Sequence, residues 1–337
     1  MRDARPLAMA LADPVSVLSF APDDWTSLLA IARAERLDGS LAYRLADLPL
    51  PAVVARALDD ARAQAEFGHV QALWEVELAR RTLAPLGIAP ILLKGSAFAF
   101  AGLPAAVGRL VGDLDILVPR DRLDDAEVAL LGAGFAWAKD DPYSQAYYRR
   151  WMHELPPLVH RDRGSMIDLH HSILPPTARR TPDAAALIAD SIEIAPGVRI
   201  LCPADMIVHA VTHLFADGDL AGGLRNLWDI DRLLRLFSAQ GDFWKQLDRR
   251  AALHEMREPL GLALRLADRI FATPVDPRLA GFDRIRDGFF VRRLLARDGW
   301  GRPTRPAGRF AFYVRSHWMR MPPLMLARHL WTKARAR

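Results

Sequence analysis

Arg109-Leu110-Val111-Gly112-Asp113-Leu114-Asp115-Ile116-Leu117-Val118 is the stretch from which the rest of the chain can be read. Leu114 to Val118 is a short run of branched apolar residues closed by Pro119, which reads as a buried strand. Alternate side chains of a strand share a face, so Asp113 and Asp115 point one way while Leu114 and Ile116 face the core. Two carboxylates this close repel each other unless a cation lies between them, and Mg2+ (or Mn2+) prefers such hard oxygen ligands. For phosphoryl chemistry a metal pair so held can grip a triphosphate and activate an attacking hydroxyl. A D-x-D by itself is weak evidence, because many such pairs are solvated turn residues.

Working upstream, Ile88-Ala89-Pro90-Ile91-Leu92-Leu93 reads as a second buried strand, ending at Lys94-Gly95-Ser96. A glycine there lets backbone N–H groups approach a phosphate, and a helix beginning near Ala97 would add its positive end. Downstream, Asp121 to Leu131 is predicted helical and Phe135 to Ala138 a strand, after Gly132 and Gly134. Leu155 to His160 and Met166 to Ser172 flank the polar turn Arg161-Asp162-Arg163-Gly164 and read as a hairpin. Alternation within it places Asp168 and His170 on one face, so Asp168 can be a third carboxylate. Strand, helix and strand in this order imply an α/β core. Trp25 to Arg80 has helical periodicity punctuated by Pro49 and Pro51. After Pro203 that period returns, predicting helices at Ala204 to Phe215, Leu224 to Ser238, Phe243 to Ala252 and Glu258 to Ile270. The expected organisation is an N-terminal helical segment (1–86), a core (87–202), a helical domain (203–300) and a basic, aromatic tail (301–337).

The set Leu93-Lys94-Gly95, Arg109, Asp113-Leu114-Asp115-Ile116-Leu117-Val118 and Ile167-Asp168-Leu169-His170 resembles the nucleotidyltransferase superfamily that includes DNA polymerase β and the aminoglycoside nucleotidyltransferases. More closely, it resembles bacterial nucleotidyltransferase family proteins of largely unassigned substrate. The likeness runs from Pro90 to Leu234, reaching His209, His213, Arg225 and Asp229. It implies an α+β or α/β fold with a mixed sheet and flanking helices. The implied reaction is Mg2+- or Mn2+-dependent transfer of a nucleoside monophosphate from a triphosphate, ATP being the first candidate, to an acceptor with release of pyrophosphate. In that reading Asp113, Asp115 and Asp168 are catalytic and hold the metals. Gly95 and Ser96 bind the terminal phosphates, Lys94 and Arg109 neutralise their charge, and His170 and Arg225 border the nucleotide. Ser96 and Asp113 stand 17 positions apart, longer than the superfamily's usual spacing, which requires extra loop between Phe98 and Gly108.

Other residues have blander readings beside the sharp ones. His209 and His213 share a helical face at the spacing of some zinc proteases, but the intervening glutamate is missing, so hydrogen bonding or a place at the cleft is expected. Arg225 and Asp229, four apart, suit a helical ion pair as well as a nucleotide contact. Cys202 stands alone and can form no internal disulfide, which fits a cytoplasmic location. The N-terminus makes a poor secretion signal, and no segment is apolar for long enough to span a bilayer. Residues 301–337 carry a charge of +9 against +5 for the whole chain, so the other 300 residues carry −4. A basic surface for nucleic acid is therefore not expected of the main body. Phe310, Phe312, Tyr313, Trp318, Leu324, Leu326, Leu330 and Trp331 interleave with the tail's charges, which suits a packed C-terminal helix or peripheral contact with the inner face of a membrane. The acceptor (protein, peptide, sugar or small molecule) is not encoded in any motif. Two rivals to an enzyme stand: a non-catalytic binding or regulatory module of the same fold, and a membrane-surface accessory protein of an envelope or peptide-modification pathway.

Overall fold

The structure is a computed structural model and describes residues 3–216 and 219–320. Four helices come first: α1 (Arg5–Ala12), α2 (Pro22–Ala34), α3 (Asp38–Arg44) and the long α4 (Ala52–Leu83). Prolines sit in the first turn of α1 and α2, where a missing N–H costs nothing. The sheet region follows with β1 (Ile91–Leu92), α5 (Lys94–Phe100), β2 (Leu114–Leu117), α6 (Leu123–Gly132), β3 (Phe135–Trp137), α7 (Pro142–Trp151), β4 (Leu158–His160) and β5 (Met166–His170). It is completed by α8 (Ala184–Ala189), β6 (Ile192–Ala195) and β7 (Val198–Ile200). The remainder is helical: α9 (Pro203–Ala216), α10 (Gly223–Phe237), α11 (Phe243–Leu253), α12 (Arg257–Phe271), α13 (Pro277–Ala280), α14 (Arg284–Leu294) and α15 (Pro306–Arg320).

The seven strands form one sheet in the order β3-β4-β5-β2-β1-β7-β6. Pairs β2–β5 and β1–β7 are parallel and the rest antiparallel, so the sheet is mixed and the fold is α+β, as expected. All four residues of β2 are buried, consistent with a central strand covered on both faces. The β2–β5 register pairs Leu114 with Ile167, Asp115 with Asp168 and Ile116 with Leu169. The two chain segments singled out for their acids are thus neighbours, with like faces aligned. Asp113 itself precedes the strand by one residue.

Several elements were not anticipated. The β6–β7 hairpin forms around Pro196-Gly197, with Gly197 at φ +74°. Its edge strand leaves Ile192 and Ile194 largely exposed, so no buried apolar alternation announces it. Helix α7, rich in Tyr and Arg, has no fully buried residue. The first helices and the last pack together: Ala4 N donates to Leu295 O at 3.1 Å, and Arg297 Nε to the buried Glu35 at 2.6 Å. In the tail, Phe312 rests on Phe290 (ring centroids 5.0 Å) and the Arg315 guanidinium lies 5.1 Å from the same ring, while Phe310 and Trp318 stay exposed. The expected roles of Leu324, Leu326, Leu330 and Trp331 fall outside the described residues. Among the described residues no helix is long and apolar enough to cross a membrane.

Candidate active site

Asp115 lies at the centre of the acidic group. Its Oδ1 accepts from Lys94 Nζ at 2.8 Å and faces His170 Nε2 at 2.9 Å, and the side chain is 2 % exposed. Burial pushes its carboxyl up, but Lys94 and His170 outweigh this and hold its pKa well below the usual carboxylate range. A carboxylate oxygen can only accept, so His170 Nε2 is the donor in this contact. Asp168, across the parallel pair, has the opposite character. Burial, then repulsion from Asp115 and Glu154, pushes it up to about 7, and its buried Oδ1 has no hydrogen-bond partner. Asp113 is also raised, by burial and then by Asp115.

Lys94 lies where β1 gives way to α5, at φ +47°, an unusual conformation for a side-chain-bearing residue. It was expected to neutralise triphosphate charge, and in the structure its ammonium is the partner of Asp115, which holds its pKa above the ordinary lysine value against the opposing effect of burial. The expected phosphate cradle takes another form. Ser96 is buried with its hydroxyl donating to Leu93 O at 2.9 Å, a bond within its own turn. A Cβ placed on Gly95 would stand 1.8 Å from Arg109 Nη1, so the bare glycine admits the arginine side chain, and α5 starts at Lys94 instead of near Ala97.

Arg109 in turn donates to Asp229 Oδ2 at 3.1 Å. Arg225 completes the chain, giving one Nη2 hydrogen to Asp229 Oδ1 at 2.6 Å, with further bonds to Ser40 Oγ at 2.7 Å and Ala105 O at 3.1 Å. The helical ion pair expected of Arg225 and Asp229 forms, and Arg225 is also a buried tie between α10, α3 and the loop after α5; burial lowers its pKa to about 10. The loop required by the long spacing from Ser96 to Asp113 is this one.

Two cavities meet at Asp113. One, of about 380 Å³, is lined by Lys94, Asp113, His153, Glu154, Asp168 and His209 among others. The second, of about 490 Å³, is lined by Val70, Trp74 and Glu75 of α4 and by Arg163 and Met166 around the β4–β5 turn. His209 and His213 both reach the first cavity, as the reading of a shared helical face at the cleft expected. Burial, then Lys94, keeps the His209 pKa well below its ordinary value, so it is neutral.

The residues fit a divalent cation on the chemistry of their donors. Among the described residues, Asp115, Asp168 and His170 present ligand atoms all within 4.8 Å of one another, and the partnerless Asp168 oxygen is an open coordination position. Asp113 stands outside this group, at the junction of the cavities, and His170 is in it. Neither candidate metal group contains His209 or His213. Sequence reading missed His153 and Glu154, which line the same cavity beside His170. The adjacent His-Glu pair just before a predicted strand was the available signal. What brings it to the site is an isolated bridge between Glu154 and His170, which no local pattern announces.

The model of a family described as uncharacterised nucleotidyltransferase matches residues 21–272, from α2 through α12. No curated protein and no solved structure matches the chain. The matched span holds the whole sheet and every residue of the acidic group, and the chain belongs to the family of uncharacterised nucleotidyltransferases.

Proposed function

We propose that the protein transfers a nucleoside monophosphate from a nucleoside triphosphate, ATP first, to an acceptor nucleophile, with pyrophosphate leaving. The observation that carries this reading is the in-register placement of Asp115 and Asp168 on parallel strands, with Asp113 and Asp168 lining a cavity of about 380 Å³. Asp113, Asp115 and Asp168 would hold Mg2+ or Mn2+, which when bound supplies charge stabilisation at the reacting phosphate. Asp168 lines the cavity and has a carboxylate oxygen with no hydrogen-bond partner, which suits it to take the acceptor's proton. Lys94 lines the cavity, and Arg109 lines a smaller pocket with Lys94 and His209; these two cations would meet phosphate oxygens. With two cavities sharing Asp113, one would take the nucleotide and the other the acceptor.

A binding module without turnover is the second reading, and Lys94 favours it, because its ammonium already gives Asp115 the positive charge it needs. Both readings are tested by incubating the protein with the four radiolabelled triphosphates, Mg2+ and cell extract as acceptor. The expected result is label transfer by the wild type and a loss of about 100-fold or more in Asp113→Asn and Asp168→Asn. Metal-dependent triphosphate binding with no transfer would move the conclusion to the binding module, and no binding at all would sink both.

A further inference from the structure

We propose that His153, Glu154 and His170 form a binding site for a transition-metal ion of the zinc class, adjoining the acidic group and sharing His170 with Asp115 and Asp168. His170 Nδ1 lies 3.5 Å from Glu154 Oε2, and His153 Nε2 lies 3.8 Å from the same oxygen. In a tetrahedral zinc site with bonds near 2.0–2.1 Å, neighbouring donor atoms are roughly 3.3 Å apart, so both separations are within about half an ångström of that arrangement. The ligand atoms of these three residues all lie within 4.8 Å of one another.

A second observation points the same way. His170 is 1 % exposed, and its Nδ1 is a buried atom with no hydrogen-bond partner, aimed at Glu154. Its other nitrogen, Nε2, donates to Asp115 at 2.9 Å, which turns Nδ1 toward Glu154. Carboxylate, histidine and then metal is the usual order behind a zinc-ligating imidazole. Two imidazoles and one carboxylate are also the donor set of zinc sites that keep a fourth position open, and here that position would face the cavity that His153 and Glu154 line. Two nitrogens in the set select against Mg2+, which takes oxygen. The site stands on its own geometry and needs no nucleotidyl transfer.

The test is metal binding by the full chain. Zinc affinity is measured by competition with a chromophoric chelator in excess Mg2+, for the wild type and for His153→Ala, Glu154→Gln and Asp113→Asn, with circular dichroism recorded for each. The wild type and Asp113→Asn should each hold one equivalent. His153→Ala should weaken binding by more than about 100-fold, beyond the loss of about 10- to 100-fold expected from a partner outside the ligand set. No stoichiometric zinc in the wild type, or zinc held as tightly by folded His153→Ala and Glu154→Gln as by the wild type, would overturn the proposal, the latter by placing the ion on other ligands. Should the histidine variant unfold, Co2+ added to the wild type decides: a visible spectrum of four-coordinate cobalt with nitrogen ligands supports the site, and a six-coordinate oxygen spectrum removes it. Because the readout is metal alone, a failure here leaves the transfer assay untouched.

Discussion

Lys94 and Asp115 form the least replaceable contact of the site. Each is largely desolvated, and each is charged because the other is. Removing one partner of a buried pair leaves an uncompensated charge, which typically costs about 3–5 kcal/mol. Lys94→Met should therefore lower stability by that order, seen as a fall in the urea midpoint, even though the substitute matches the stem in length. An unchanged midpoint would mean that His170 alone satisfies Asp115. At this scale the acids were legible: alternation alone put Asp113 with Asp115 and Asp168 with His170. The partner of Lys94 was not, because it follows from the β1–β2 register, Leu92 opposite Ile116, which joins residues 21 apart through tertiary pairing. The bonds of Ser96 to Leu93 and of Arg225 to Ser40 and Ala105 were not legible for a related reason. A hydroxyl or guanidinium near a cleft looks available until the bonds it makes inside the fold are seen.

At the level of elements, the loop between α5 and β2 is fixed by a crossing of two glycines. A Cβ on Gly39 of α3 would lie 2.4 Å from the carbonyl oxygen of Gly108, which is itself at φ +65°. Backbone cannot yield as a flexible side chain does, so Gly39→Ala should destabilise by about 1–3 kcal/mol through overpacking. Gly132, on α6 with nothing within 4 Å of its Cβ position, is the control, and Gly132→Ala should be neutral or slightly stabilising. Thermal melts of the two variants decide, and equal midpoints would contradict the crossing. Strands with one-sided or continuous apolar runs were readable in the chain, as were the long amphipathic helices α9 to α12. Helix α5 could be anticipated but not its start, since a lysine in a left-handed conformation at the end of β1 has no local signal. The exposed β6 and the polar α7 lacked the buried pattern that periodicity detects.

For the molecule as a whole, the buried ion pairs among the helices set its response to acid. Asp205, 0 % exposed, accepts from Arg250 Nε at 2.6 Å and faces His254 Nε2 at 3.2 Å. Burial raises its pKa, but the bonds to His254 and Arg250 prevail and lower it. A carboxyl with a depressed folded pKa contributes stability that is complete above its unfolded value, about 4, and is lost as pH falls through the folded value below that. Asp205→Asn should lower stability at neutral pH and flatten its decline below about pH 4, measured by urea titration across pH; a parallel decline in both proteins would remove Asp205 from the acid response. The mixed sheet with helices around it was legible as a class. That α1 and α2 would close against the last helices was not, because helical periodicity gives each element an apolar face without naming what covers it.

The chain of bonds from Arg109 through Asp229 and Arg225 to Ser40 ties the sheet loop, α10 and α3 into one piece beside the cavity. Swinging the helices away from the sheet would have to break buried charged contacts together. Access to the acids is then a matter of diffusion through a standing opening. Ligand association should accordingly stay first order in ligand concentration up to high concentrations, without the plateau that a gating step imposes.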